Sequence, residues 1–304
     1  GLSLLVMSSI KQYIIILNEI EDTEEEIIIN KFDKNNMSSF LKRLISGIFL
    51  LAALVFVLLT GGDLLLCVCA LLSIVGLAEL YQVFNLSRSM LAYAAYLLTI
   101  FYYVMLTFYR STGILLFLIL LLLFLLGFYV FSFPKYNIKQ VSMIFFGVIY
   151  VVITFSFIYL IRERNEFGKY LVWLIFISSW GSDTFAYCIG MLFGRHKFSP
   201  VLSPNKTIEG VIGGILGAFL LGYIYNHFLT IRYGDILNLS FLQIPTACAL
   251  GAVLSILGDL TASAIKRDFK VKDYGNIIPG HGGILDRFDS VIFTAPALFF
   301  VLSI

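Results

Sequence analysis

From Leu44 to the end of the chain, apolar runs of membrane-crossing length follow one another with hardly a charge inside them. A transmembrane helix needs about 20 apolar residues to cross about 30 Å of hydrocarbon. Nine segments approach that length: 44–60, 64–80, 90–109, 113–133, 141–161, 170–190, 208–228, 244–265 and 287–304. In lipid the backbone amides of a continuous apolar run must be satisfied within the run, which makes it helical. The expectation is an all-α polytopic membrane protein with about nine transmembrane helices. Composition agrees, because 60% of the 304 residues are hydrophobic and only 13% charged, against about 25% charged in soluble domains. An outer-membrane barrel is excluded, since its strands alternate and lack long apolar runs.

The formal net charge of +2 hides two unlike parts. Residues 1–36 hold three Lys against seven Asp or Glu (−4), and residues 37–304 hold eighteen Lys or Arg against twelve Asp or Glu (+6). The acidic front has no run of spanning length, and no basic region leading into a continuous apolar core and cleavage site. It reads as an N-terminal extension over 1–36 without a catalytic part, ahead of an integral membrane domain over 37–304. Within that domain 37–165 reads as mainly scaffold and 166–304 as the catalytic half. Residues 44–161 are mostly Leu, Ile, Val, Phe and Tyr, with Glu79 almost alone as a charge near a helix end. Residues 178–290 instead gather Gly, Ser, Asp, Lys and His. A charge at membrane depth costs about 2.5–3.5 kcal/mol on insertion scales, so several in one region require a function.

Positive-inside counting orients the bundle. With the start of the first helix in the cytoplasm, thirteen of the eighteen cations of 37–304 fall on the cytoplasmic side and five on the other. The polar connections 191–207 and 266–286 then both face the cytoplasm. No soluble basic module is present, which excludes nucleic acid as a partner. Cys67, Cys69, Cys188 and Cys248 lie in apolar runs with no C-x-x-C, and read as small buried hydrophobes rather than a zinc or disulfide framework.

The chemistry concentrates in 258–289. Asp259 lies in the last turns of an apolar helix, a basic loop with Lys266, Arg267 and Lys272 follows, and Pro279-Gly280-His281-Gly282-Gly283 leads into the last helix. There Asp286 and Asp289, three apart, share a face. Glycines let backbone N–H groups approach a ligand, and the cations suit phosphate. Carboxylates, cations and a glycine turn together are what metal-dependent chemistry on a nucleoside triphosphate requires, Mg²⁺ being held by one or two carboxylates and phosphate oxygens. A solvated loop with charges paired to one another is the plainer alternative, outweighed here by three Asp and the glycine turn in one stretch. His281 is open to three roles: phosphate donor, proton shuttle or turn stabiliser. His196 and His227 read as ordinary interfacial residues.

Upstream, Ser203, Lys206 and Thr207 open the helix at 208, where a phosphate could meet the positive helix end and Thr207 could serve as an N-cap. Asp183 sits inside an apolar span, with a helix–helix hydrogen bond as its simplest use. Gly210, Gly214, Ala218 and Gly222 form a small-residue stripe, for an intrachain contact or a homodimer seam.

These motifs resemble the phosphatidate cytidylyltransferases (CDP-diacylglycerol synthases). The family pattern is filled by Ser263, Ile265, Lys266, Arg267, Lys272, Asp273, Gly275, Ile278, Pro279, His281, Gly282, Gly283, Ile284, Asp286, Arg287, Phe288 and Asp289 without a departure. The likeness extends to Gly258-Asp259-Leu260 and to the segment 203–210, where Asn205 stands in place of the family's usual second Lys. It covers roughly 40–304. The resemblance implies a bacterial-type inner-membrane enzyme that converts CTP and phosphatidate into CDP-diacylglycerol and pyrophosphate, with its active site on the cytoplasmic side of the C-terminal half. It implies Mg²⁺ with two cation sites, the second open to a monovalent ion, and Asp259, Asp286 and Asp289 as metal ligands. Lys266 joins them in catalysis. Ser203, Lys206, Thr207, Ser263, Arg267, Lys272, Asp273, His281, Gly282, Gly283 and Arg287 are the implied substrate contacts. Asp183, in a D-x-F-A-Y setting the family also carries, is the implied polar-cavity residue.

Two other readings compete. A transporter would also carry intramembrane Asp residues and broken helices, but no inverted repeat is visible and the charges gather at one margin. Among other lipid-phosphate enzymes, a CDP-alcohol phosphatidyltransferase needs an Asp-Gly-x-x-Ala-Arg core that this sequence lacks. A polyprenol kinase differs in which phosphate of CTP it moves.

Overall fold

A computed structural model describes residues 34–234, 242–277 and 282–302, with side chains from Gly47 onward. Among the described residues the helices join into nine rods. They are α1 (Lys34–Thr60), α2 (Gly62–Val83), α3 (Met90–Tyr109), α4 (Gly113–Ser132), α5 with α6 (Ile138–Gly147, Thr154–Arg162), α7 to α9 (Gly168–Leu171, Trp173–Phe176, Ser182–Phe193), α10 (Ile208–Tyr233), α11 (Gln243–Asp268) and α12 (Leu285–Val301). The nine apolar segments of the sequence each fall on one rod. Among the described residues five stretches are long and apolar enough to cross a membrane: Gly62–Val83, Met90–Ser132, Ile138–Arg162, Ile208–Tyr233 and Gln243–Asp268. The first rod begins at Lys34 and so runs across the expected boundary at 36/37; residues 1–33 lie outside the described part.

Local chemistry sets the rod ends. Ser89 Oγ accepts the Ala92 N–H to start α3, and Asn137 with Gln140 forms a reciprocal capping box at α5, each satisfying amides that have no partner within the helix. Between α1 and α2 the turn runs through Gly61 at φ +66°, where a Cβ would lie 2.7 Å from the Arg162 guanidinium carbon. The rods 138–162 and 168–193 each contain a π-helical turn, Val148–Ile153 and Ile177–Gly181. Such turns add a residue to the helix and re-aim the side chains beyond it; here the second directly precedes Ser182 and Asp183.

Among the described residues the main departure from an all-α description is a small antiparallel hairpin, β1 (Lys197–Ser199) with β2 (Ser203–Thr207), inside the connection read from sequence as merely polar. Its strands are too short and too polar for apolar periodicity to reveal them.

The two halves pack differently. Around α2 to α6 the core is built of large side chains, with Tyr81, Tyr102, Phe117 and Phe155 fully buried. The tyrosine hydroxyls of this core are satisfied inside: Tyr81 donates to the Ile144 carbonyl at 2.8 Å, Tyr102 pairs with Ser156 at 2.7 Å and Tyr103 with Ser73 at 2.8 Å. In the C-terminal half the backbones approach closely through glycine. A Cβ on Gly210 would lie 2.6 Å from the Ala186 carbonyl, and one on Gly214 2.8 Å from that of Ser182. One on Gly222 would meet Cys248 Sγ at 2.8 Å. The small-residue stripe of α10 is therefore an intrachain contact with α9 and α11. The outward surface carries bare Phe108, Phe131 and Leu97, as a lipid-facing surface allows. Cys69 and Cys248 are buried and Cys188 half-buried, as small hydrophobes should be; Cys67 departs from that expectation and faces outward.

Candidate active site

The loop after α11 begins with a helix stop. Val271 N–H donates to the Lys266 carbonyl and Lys270 N–H to that of Arg267, the paired bonds of a Schellman motif. Lys270 takes the left-handed position usually held by glycine, with φ +54°. Phe269 is set against Phe84 at the end of α2, ring centroids 4.9 Å apart. Tyr274 then turns inward. Its hydroxyl donates to the Ala262 carbonyl at 3.1 Å, and the Lys266 ammonium lies 5.3 Å from its ring centroid. Burial pushes its phenol well above the ordinary tyrosine range, so it stays a neutral donor.

Asp286 gathers this loop. Its Oδ1 accepts from Lys266 Nζ at 2.8 Å, and its Oδ2 from Tyr274 N–H at 2.8 Å and Gly283 N–H at 3.1 Å. The carboxylate side chain is only 5% exposed, yet three donors compensate its charge, as a buried carboxylate requires. Gly282 enters the turn at φ +80°, and a Cβ there would lie 3.2 Å from Asp286 Oδ2.

The second arm is the hairpin. Thr207 caps α10 by accepting the Gly210 N–H at 3.1 Å. Glu209 in the first turn accepts from the Arg195 and His196 amides and holds His196 Nδ1 at 2.6 Å. His196 is thus part of the hairpin's anchorage. Fixed in this way, β2 delivers Lys206 to Asp259 of α11 as an ion pair. The two side chains keep 24% and 27% exposure, while the Lys206 ammonium nitrogen itself is closed off from solvent.

Asp289 lies buried one helical turn beyond Asp286, its Oδ1 accepting the Ser290 N–H at 2.8 Å. It is within electrostatic reach of Asp259, Lys266 and Asp183, and Asp183 within that of Lys206 and Asp259. Among the described residues no three His, Cys, Asp or Glu form a complete metal cage. Mg²⁺ does not need one, since one or two carboxylates plus substrate phosphates suffice. Asp259 and Asp289 fit that use, each retaining oxygen lone pairs. Asp286, adjoining them, has already given most of its own to N–H donors.

The structure therefore brings together Asp183, Lys206, Asp259, Lys266, Gly282, Gly283, Asp286 and Asp289. Ser203, Ser263 and Arg287 are half-buried, whereas Arg267, Lys272 and Asp273 are exposed on the loop surface. His281 lies outside the described residues. Two participants were not legible as such. Tyr274 occupies an unmarked position of the pattern. Glu79, assigned to scaffold, is buried against α12 with both oxygens accepting amides, Ile284 N–H and Leu285 N–H, each at 2.9 Å. The signal that could have found it is its charge in an apolar helix, which is costly without a partner.

A cavity of about 350 Å³ lined by Arg110, Tyr159, Glu163, Arg164 and Phe299 lies elsewhere. Phe299 is thirteen residues beyond Asp286 on α12, about 20 Å at 1.5 Å per residue. That cavity is at the opposite end of the bundle.

A profile of the cytidylyltransferase family matches residues 41–304. The chain is 37% identical over 169 residues to a phosphatidate cytidylyltransferase of Bacillus subtilis, covering 56% of this chain and 61% of that one. It is 40% identical over 173 residues to one of Staphylococcus epidermidis, covering 57% and 63%. A Thermotoga maritima enzyme of the same name is 37% identical over 174 residues, covering 56% and 62%. The matched stretch thus spans less than two thirds of the length of these relatives.

Proposed function

The chain belongs to the cytidylyltransferase family, and we propose that it transfers CMP from CTP to phosphatidate, giving CDP-diacylglycerol and pyrophosphate for phospholipid biosynthesis. The observation that carries this reading is the meeting of two arms at one end of the bundle. Lys206 of the hairpin reaches Asp259, and Lys266 reaches Asp286 beside Asp289. The Staphylococcus epidermidis relative of that name is 40% identical to this chain over 173 residues. The proposed setting is a bacterial-type inner membrane crossed nine times, with both arms on the cytoplasmic side among thirteen of the body's eighteen cations. Both substrates are anions, which suits that surface.

The phosphate of phosphatidate has a second pKa near ~6 and is largely ionised at pH 7, so it needs no strong general base. One of its oxygens bonds to the α-phosphorus of CTP. The bond from that phosphorus to the bridging oxygen breaks, and the electron pair leaves with pyrophosphate. The protein's work is to align two anions and spread their charge. Lys206 and Lys266 are held on Asp259 and Asp286, where each can exchange a carboxylate oxygen for a phosphate oxygen. Arg267 and Arg287 add cationic contacts to phosphate. Ser203, Thr207, Ser263, Lys272, Asp273, His281 and the amides of Gly282 and Gly283 complete the substrate contacts. Asp259 and Asp289, with Asp286 adjoining, would hold Mg²⁺ and Asp183 would lie near a second cation; the ions would neutralise charge on the triphosphate.

The test uses the full chain in vesicles containing phosphatidate, with CTP labelled in either the α- or the γ-phosphate. With Mg²⁺, the α-label is expected in lipid and the γ-label in pyrophosphate, with neither transferred without Mg²⁺. Label from the γ-phosphate in lipid would make the chain a kinase and overturn the reading.

A further inference from the structure

Glu79 is the feature that the proposed chemistry does not use. It lies near the end of α2, far from the motif in sequence, and is 3% exposed. Its two oxygens accept from Ile284 and Leu285, amides at the start of α12 that no helix can satisfy internally. A carboxylate is also the favoured group at that positive helix end. Ordinarily such a cap is local; here it comes from 205 residues away.

The surroundings are built to fit it. A Cβ on Gly275 would lie 2.6 Å from Glu79 Oε1, and one on Gly283 2.6 Å from Oε2. One turn earlier on α2, a Cβ on Gly76 would lie 3.2 Å from Leu285 Cδ2. Gly76 and Glu79 thus seat the first turn of α12 from one helix face. The same short stretches feed Asp286, through the Tyr274 and Gly283 amides. Glu79 therefore accepts the Ile284 and Leu285 amides next to the Gly283 amide that Asp286 accepts, and packs against Gly275 beside the Tyr274 amide that Asp286 also accepts.

We infer that Glu79 is a positioning residue of the active site: it sets the start of α12, and thereby places Asp286 and Asp289 for the transfer reaction. It touches no substrate and acts through the backbone of Gly283–Leu285. The effect on turnover rests on the proposed cytidylyl transfer; the grip itself does not.

The experiment compares wild type, Glu79→Gln and Glu79→Ala, full chain, in vesicles of phosphatidylcholine with phosphatidate. Three readouts are taken: kcat and KM for each substrate per folded protein, the Mg²⁺ concentration for half-maximal rate, and hydrogen exchange at Gly283–Leu285 without substrate. Misplacing reacting groups by about 1 Å costs about 100-fold in rate, so Glu79→Ala is expected to lose about that in kcat with KM for phosphatidate within threefold. Its Mg²⁺ requirement should rise and exchange at Ile284 and Leu285 should accelerate. Glu79→Gln keeps one acceptor oxygen and should fall between, which guards against a variant that only fails to fold. Unchanged kcat per folded protein, or unchanged exchange at these amides, overturns the inference. If wild type itself moves no label from CTP, the reading of the reaction fails. The exchange data then decide on the grip alone, with acceleration supporting it and its absence refuting it.

Discussion

Two lysine–carboxylate pairs stand at the same end of the bundle and are built in opposite ways. Lys266–Asp286 is enclosed: the carboxylate is 5% exposed and also takes two backbone amides from the loop it organises. Lys206–Asp259 joins two separately anchored elements, a hairpin and a helix; about a quarter of each side chain stays exposed although the Lys206 nitrogen is buried. The first pair is tied into the backbone of the loop it organises, and the second ties a hairpin to a helix. The same charges in two settings thus serve two purposes, and substitution should separate them.

The largest effect is expected for Asp286→Asn. Removing one partner of a buried ion pair costs about 3–5 kcal/mol, so this variant should lose both thermal stability and detectable CMP transfer, measured by melting in detergent and by labelled CTP. Stability retained in full would erase the contrast. Asp259→Asn comes next. A partly exposed pair contributes about 0–1 kcal/mol, so its melting temperature should stay close to wild type while transfer falls by roughly two orders of magnitude, the scale of lost electrostatic stabilisation in a site. A melting loss as large as that of Asp286→Asn would show the two pairs to be alike. Lys206→Ala should mainly weaken nucleotide binding, raising KM for CTP about tenfold, equivalent to about 1.4 kcal/mol; an unchanged KM would remove Lys206 from the phosphate site. The smallest effect is expected for Arg110→Ala in the far cavity, where transfer should stay within about twofold, as for surface changes away from a site. A larger loss would mean that the two ends of the bundle communicate.

Much of this was legible in the chain. The rod positions follow from apolar run length alone, and α3 begins and ends where the run does, at Met90 and Tyr109. The cap at Thr207 follows from a hydroxyl ahead of a helix. Legibility ends where structure depends on distant segments. The hairpin 197–207 is polar and short, held by Glu209 and by its own pairing. Tyr274 looks like any loop tyrosine until the Asp286 carboxylate is seen to accept its amide. Division into scaffold and catalytic halves followed composition, and composition does not record that an unpartnered helix end in one half would be capped by a carboxylate in the other. The glycines of α10 announced a close contact but not its partner, because close approach needs small residues on one side only; α9 and α11 supply the other side.

The separation between Glu79 and the amides it caps also has a meaning in time. Synthesis proceeds at about 5–20 residues per second, so Ile284 and Leu285, some 205 positions later, leave the ribosome roughly 10–40 s after Glu79. Through that interval the Glu79 carboxylate exists and the amides it caps do not. The rods of the N-terminal half can settle early, but the reaction centre closes only when the final helix arrives. A chain halted before residue 284 would carry Glu79 without either amide that it caps.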